Sequence, residues 1–234
     1  MTSSAGATSA LPTAEDKAAA VESMFDRIAP RYDRMNRLLT FRMDVRWRKR
    51  AIAKLNLERG ATVLDLACGT GDFCNDLVVA GYTPFGLDFS AGMLAAATTL
   101  APLVRADVLH LPAPNGGVDA ITCGFALRNF TSLEPFFAEC ARTIKPGGRV
   151  VLLDIGEPQS RLVRFGHSMY FRKVVPFIGG LLSDRKAYAY LPASTAYLPA
   201  PTVLTEMVRA AGFADVEHHK YFFGAAQLVV GTRT

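Results

Sequence analysis

The chain has 234 residues, 26 lysines and arginines against 21 acids, and a formal net charge of +5. At this length roughly 70–75% of the unfolded surface is buried on folding, so one core suffices without disulfide or metal staples. A mean hydropathy of +0.18 excludes wholesale disorder, and no run reaches the ~18 apolar residues of a membrane span.

Residues 1–20 lack the basic and apolar regions of a secretory signal and read as a flexible tail. Met24, Ile28, Met35 and Leu38 recur at helical spacing within Glu22 to Leu39, broken by Pro30. Asp44 to Leu57 reads as a second helix, studded with Arg46, Arg48, Lys49 and Arg50. Residues 21–58 are therefore expected to be a helical cap on the main fold. From Ala61 short apolar runs alternate with helix-like stretches: ATVLDLA, Asp72 to Ala80, TPFGLDF, Ala91 to Leu100, LVRADV, VDAITCGFAL, Leu133 to Ile144 and RVVLLDI. The alternation predicts an α/β fold with a mostly parallel sheet covered on both faces. Residues 157–201 break the rhythm as an inserted helical segment. A helix over Thr202 to Ala211, stopped by Gly212, precedes VEHHKYFF and AAQLVVGTR, which predict an antiparallel pair at the sheet edge.

The strand over Thr62 to Leu66 runs into Gly69-Thr70-Gly71 and then a helix, where an open α/β sheet binds nucleotide-like ligands. Cys74 stands where a dinucleotide fingerprint takes Gly or Ala. Asp65 and Asp72 would crowd a pyrophosphate: like charges about 4 Å apart cost on the order of 4 kcal/mol at an effective dielectric near 20. A cationic ligand without phosphate, such as S-adenosylmethionine, is favoured by the same acids. Asp88, ending the next strand, suits two ribose hydroxyls, and Asp107, ending the third, suits an adenine amino group. The four cysteines, Cys68, Cys74, Cys123 and Cys140, form no C-x-x-C pair and no zinc spacing, so no metal site and a reducing compartment are expected.

These residues resemble the Rossmann-like, class I methyltransferases that use S-adenosylmethionine, and longer motifs narrow the likeness to the ubiquinone/menaquinone biosynthesis C-methyltransferase family. Met24-Phe25-Asp26-Arg27-Ile28-Ala29-Pro30-Arg31-Tyr32-Asp33-Arg34-Met35-Asn36 is similar to its entry signature, followed by Leu39-Thr40 and Trp47-Arg48. Gly124-Phe125-Ala126-Leu127-Arg128-Asn129-Phe130, Tyr188-Ala189-Tyr190-Leu191-Pro192-Ala193-Ser194 with Pro199, and Met207 through Ala210-Ala211-Gly212-Phe213 resemble three more. The chain departs from the family at Gly124 and Gly156, where serine is usual, and at Val229, where histidine is usual.

The resemblance implies one methyltransferase domain over residues 21–234 that methylates a ring carbon of a reduced prenylated quinone, with demethylmenaquinol preferred over a benzoquinol. Thr70, Asp88, Asp107, Val108 and Gly124 are implied to contact the cofactor, joining Asp65, Gly69 and Gly71 from the glycine loop. A ring carbon becomes nucleophilic when a neighbouring phenol loses its proton. Arg128 and Asn129 are expected to orient the quinol and stabilise its phenolate, with Asp154 as a second candidate, directly or through a water. Tyr32, Asp33 and Tyr188 are expected at the acceptor. Arg128 has an alternative as a surface ion-pair partner of Glu134, and His167, His218 and His219 lack converging partners. Basic and apolar residues interleave over 157–186, which suits peripheral contact with an anionic membrane or a roof over a prenyl tail. The expected setting is the cytoplasm, at the inner face of the membrane, with a homodimer as the assembly. Competing readings are a methyltransferase for another small aromatic, a nucleic-acid protein suggested by the Arg46 to Arg50 cluster, and an NAD enzyme. No nucleic-acid partner is expected, because no recognition motif accompanies the charge.

Overall fold

The computed structural model describes residues 14–234 apart from 157 and 159. Helices α1 (Ala14–Ile28), α2 (Tyr32–Leu39) and α3 (Met43–Ala53) precede β1 (Thr62–Leu66), α4 (Asp72–Ala80), β2 (Thr83–Asp88), α5 (Ala91–Ala95), β3 (Leu103–Arg105) and β4 (Val118–Gly124). There follow α6 (Glu134–Thr143), β5 (Ile144–Ile155), α7 (Arg161–Met169), α8 (Val175–Leu182), α9 (Arg185–Ser194), α10 (Pro201–Ala210), β6 (Phe213–Tyr221) and β7 (Ala226–Arg233). The sheet order is β3-β2-β1-β4-β5-β7-β6, with β7 antiparallel to both its neighbours and the other pairings parallel.

Alternate residues of each central strand feed two cores, as period-two geometry requires. Leu64, Leu66, Ile121, Cys123, Val150 and Leu152 face α6 and α10, while Val63, Ala120, Val151 and Leu153 face α3 and α4. A third, smaller core joins Met24, Ile28, Met35 and Leu39 of the N-terminal helices to Val175, Ala187 and Tyr188 of the inserted segment. Gly179 lets α8 and α9 of that segment pack closely, since a Cβ there would lie 2.4 Å from Tyr188.

Residues 14–20 of the expected tail are helical. Residues 1–13 lie outside the described residues, but α1 starts at Ala14. Lys17 anchors it, donating to the Phe130 carbonyl at 2.7 Å with its ammonium 3.8 Å from the Tyr197 ring centroid. Helix α5 is half the expected length because Thr98 N–H turns away to bond the Thr70 carbonyl at 3.0 Å. Strand β3 ends at Arg105, before Asp107, whose carboxylate accepts from Leu109 N–H at 2.9 Å and turns the chain. The Lys145-Pro146-Gly147-Gly148 turn is absorbed into β5 as an irregularity between the Ile144–Val118 and Arg149–Ala120 pairs. Among the described residues no helix is long and apolar enough to cross a membrane.

Phe136 of α6 is fully buried in the larger core, its ring beside those of Phe130 and Phe137. Phe136→Ala is expected to lower unfolding free energy by about 3–5 kcal/mol, measured by denaturant titration.

Candidate active site

The strand order reverses between β1 and β4, so a crevice opens beyond their carboxyl ends, the place where open α/β sheets take ligands. The glycine loop forms its floor, and its two glycines do different work. Gly71 (φ 87°) leaves room for Thr99, whose methyl would lie 2.4 Å from an added Cβ. Gly69 (φ 56°) has nothing within 4 Å of that position, so its missing side chain leaves the cavity open to a ligand.

Asp88 holds this loop in place: its carboxylate accepts from Gly69 N–H at 2.7 Å and Ser90 N–H at 2.8 Å. Burial pushes its carboxyl upward against those bonds. Asp107 and Val108 line the same cavity, the former partly exposed and the latter buried. Asp65 is buried, accepts from Thr122 Oγ1 at 2.7 Å across the β1–β4 pair, and lies 3.6 Å from Cys74 Sγ. Desolvation raises its carboxyl to about 7, partly countered by the Thr122 bond.

Asp72 lines the same cavity, and its charge is already shared with two arginines. Arg37 binds it at 2.7 Å and Arg48 at 3.4 Å; Arg48 also binds Asp76 at 2.7 Å and Asp44 at 3.0 Å. Burial dominates in raising the Asp72 carboxyl, with Arg48 opposing it. The presumed basic cluster is therefore no uniform cationic face: Arg48 is buried among acids, and Arg50 lies over the Tyr221 ring. Thr70 Oγ1 donates to Asp33 of α2, a second tie between the cap and the glycine loop. Helix α1 roofs the cavity with Val21, Glu22 and Phe25, and Asp26 accepts from Ser90 Oγ at 2.6 Å and Gly92 N–H at 2.8 Å.

A second, apolar cavity of about 320 Å³ adjoins the first between the cap, the inserted helices and the turn that joins β6 to β7. Tyr32, Asn36 and Phe125 line both, so the two share a wall. Trp47, Tyr170 and Tyr188 line the second only, and Arg128 forms its polar spot. Burial drives the Tyr32 hydroxyl well above its ordinary range and the Tyr188 hydroxyl to about 12. Arg128 is buried, donates to Asp154 and the Phe125 carbonyl through Nη1, and reaches Ser194 through Nε at 3.2 Å. Glu134, its suggested surface partner, instead accepts from Ser132. Asn129 lines the first cavity, with its buried Oδ1 lacking a partner. Asp154 lines neither cavity; desolvation raises its carboxyl against the Arg128 charge, and its Oδ2 is unpartnered.

Sequence reasoning missed Asn36, Phe125 and Arg48 as cavity residues, although each lies inside a quoted motif. The departures from the family have packing reasons. A Cβ at Gly124 would lie 2.9 Å from the Phe73 ring, one at Gly156 would lie 2.4 Å from the Gly224 carbonyl, and Val229 is buried in the core. His218 pairs with Gln227 and His219 with Glu217, while the His167 side chain lies outside the described residues.

The profile of the ubiE/COQ5 methyltransferase family matches residues 13–233. A protein of Thermus thermophilus named demethylmenaquinone methyltransferase is 43% identical over 90% of this chain and its own full length. The ubiquinone/menaquinone biosynthesis C-methyltransferase of Geobacter sulfurreducens is 37% identical over 93% of this chain and 90% of its own. Among solved structures, an S-adenosylmethionine-dependent methyltransferase of Thermotoga maritima superposes with a TM-score of 0.66 at 18% identity, covering 91% of this chain and 99% of its own.

The Asp65 carboxyl titrates near 7 when folded, above its unfolded value near 4, so the folded protein binds the extra proton and this group's contribution to stability falls between about pH 4 and 7. Asp65→Asn removes that slope. The variant's thermal midpoint is expected to gain on the parent's from pH 5 to pH 8 in calorimetric scans without ligand.

Proposed function

Because the chain belongs to the ubiE/COQ5 methyltransferase family and is an S-adenosylmethionine-dependent methyltransferase, we propose that it methylates a ring carbon of demethylmenaquinol to give menaquinol. The observation that carries this reading is the pair of adjoining cavities, one floored by the glycine loop and one apolar, with Arg128 in the apolar wall.

The residues present fit the cofactor. Gly69 leaves an open cradle, Asp88 and Asp107 offer carboxylate oxygens to hydroxyl and amino groups, and Asp65 and the unpartnered Asn129 Oδ1 suit a cationic ammonium group. Thr70, Gly71, Val108 and Gly124 complete the walls or shape the loop. S-adenosylmethionine supplies an electrophilic methyl group on a sulfonium. The protein's part is to hold a ring carbon within about 3–3.5 Å of that methyl and to make the carbon nucleophilic. Arg128 does the second: its guanidinium stabilises the phenolate left when the adjacent hydroxyl passes its proton to solvent, and the methylated ring carbon then gives up its own hydrogen to solvent as a proton. Asp154 acts through Arg128, fixing its orientation, because it lines neither cavity. Tyr32, on the shared wall, and Tyr188 shape the acceptor cavity, while Asp33 holds the cap to Thr70.

Leu162, Phe165, Phe177 and Leu181 are strongly exposed on the inserted segment, beside exposed Arg161 and Lys173. Apolar and basic groups side by side support peripheral binding to an anionic membrane, from which a prenylated acceptor comes. The side chains of Phe171, Arg172, Arg185 and Lys186 lie outside the described residues.

Mass spectrometry with methyl-labelled S-adenosylmethionine and reduced demethylmenaquinone is expected to find label on a ring carbon; label absent from this quinol and present on another aromatic overturns the acceptor. Arg128→Gln is expected to cut turnover by about 100-fold or more with cofactor affinity kept, in line with loss of an oxyanion donor. Adding Asp154→Asn is expected to restore thermal stability and leave turnover low. In sedimentation with vesicles, Leu162→Glu with Phe165→Glu is expected to reduce binding to anionic lipid severalfold, and added salt to weaken the parent's binding.

A further inference from the structure

Two turns at the opening of the apolar cavity hold backbone that their residue types oppose. Phe41 (φ 51°) and Arg42 (φ 59°) join α2 to α3, and Phe222 (φ 46°) and Phe223 (φ 56°) join β6 to β7. Consecutive left-handed residues are ordinarily Asn, Asp or Gly, because a Cβ crowds the following carbonyl in that conformation. A bulky aromatic persists there only where its surroundings fix it. Met43 N–H bonds the Thr40 carbonyl at 3.0 Å across the first turn, and Ala225 N–H bonds the Phe222 carbonyl at 3.0 Å in the second.

Burial does not explain the aromatic choice, since Phe41 is 72% exposed and Phe222 56%. What the two rings share is the cavity wall, which they reach from opposite ends of the chain. Phe41 stacks at 6.1 Å on Tyr170, itself in that wall and tethered through its hydroxyl to the Leu39 carbonyl at 2.8 Å. Phe223 shares the strain and is 74% exposed, yet it does not line the cavity. Partly exposed rings in a cavity wall mark its opening, and the guanidinium of Arg128 marks its polar interior.

We propose that Phe41 and Phe222 form an apolar collar that grips the acceptor's tail next to the ring, making them specificity-determining residues for tailed over tailless acceptors. This rests on the reading of the acceptor as a prenylated quinol whose oxygens face Arg128, so that the tail leaves by the collar. Left-handed backbone holds both rings at the opening, where right-handed turns would direct the side chains elsewhere.

The test uses the full chain in vesicle-free solution with reduced demethylmenaquinone analogues carrying no tail, one isoprene unit or two. The parent's kcat/KM is expected to rise about tenfold or more on adding the first unit, the scale of burying a few apolar carbons. Phe41→Asn with Phe222→Asn, a residue at ease in left-handed backbone, is expected to abolish that rise. Its thermal midpoint is expected to match the parent's. Phe223→Asn is expected to keep the full rise. Should the asparagine variant unfold, Phe41→Leu with Phe222→Leu is expected to show a smaller rise than the parent. A rise that survives in the collar variants, or that Phe223→Asn removes equally, overturns the collar. A parent that methylates all three analogues with equal kcat/KM overturns the collar alone, whereas one that methylates none overturns the acceptor reading and the collar with it.

Discussion

Arg48 is the charge around which the cap and the glycine loop are joined. Its guanidinium is buried, with Asp44 from its own helix and Asp72 and Asp76 from α4 around it. A lone buried guanidinium is strongly unfavourable, and removing one partner of a buried ion pair commonly costs about 3–5 kcal/mol. Three carboxylates offset that desolvation and fix the position of α3 against α4. Since α4 begins directly after Gly71, fixing α4 fixes the loop. The Thr70–Asp33 hydrogen bond adds a tie from α2, so the cap is built into the wall of the first cavity and is no appendage beside it.

That attachment also creates the apolar cavity. The N-terminal helices and the inserted helices bury a common core around Met35, Val175 and Tyr188, and the space between this core and the sheet is the second cavity. Phe125, left-handed (φ 61°) at the end of β4, stands on the shared wall. Its carbonyl accepts from Arg128 at 2.6 Å, so the backbone that divides the cavities also aims the guanidinium. Asp154 completes with Arg128 a buried ion pair, and charge interactions in such a setting are stronger than at a surface.

The three departures from the family's usual residues belong to this same packing. At Gly124 the Phe73 ring fills the space a side chain would need, and at Gly156 the carbonyl of Gly224 does so. Val229, opposite Leu152 on β5, extends the apolar face of the sheet. All three positions lie outside the loop over Gly69 to Gly71.

Local sequence determined the alternation of strands and helices, the glycine loop and its acids, because period-two and period-3.6 patterns and glycine's left-handed freedom are properties of short segments. It also placed Arg128 and Asn129 directly after β4. Which cavity each enters was a tertiary outcome: a three-residue turn sends Asn129 to one side of Phe125 and Arg128 to the other. Asp72, Asp107 and Asp154 look alike as acids near strand ends. The fold gave them different tasks, an ion pair with two arginines, a turn that ends β3, and the anchoring of Arg128. The sequence carries the inventory of charged groups, but a charge acts through its neighbours in space, and those come from helices and strands far apart in the chain.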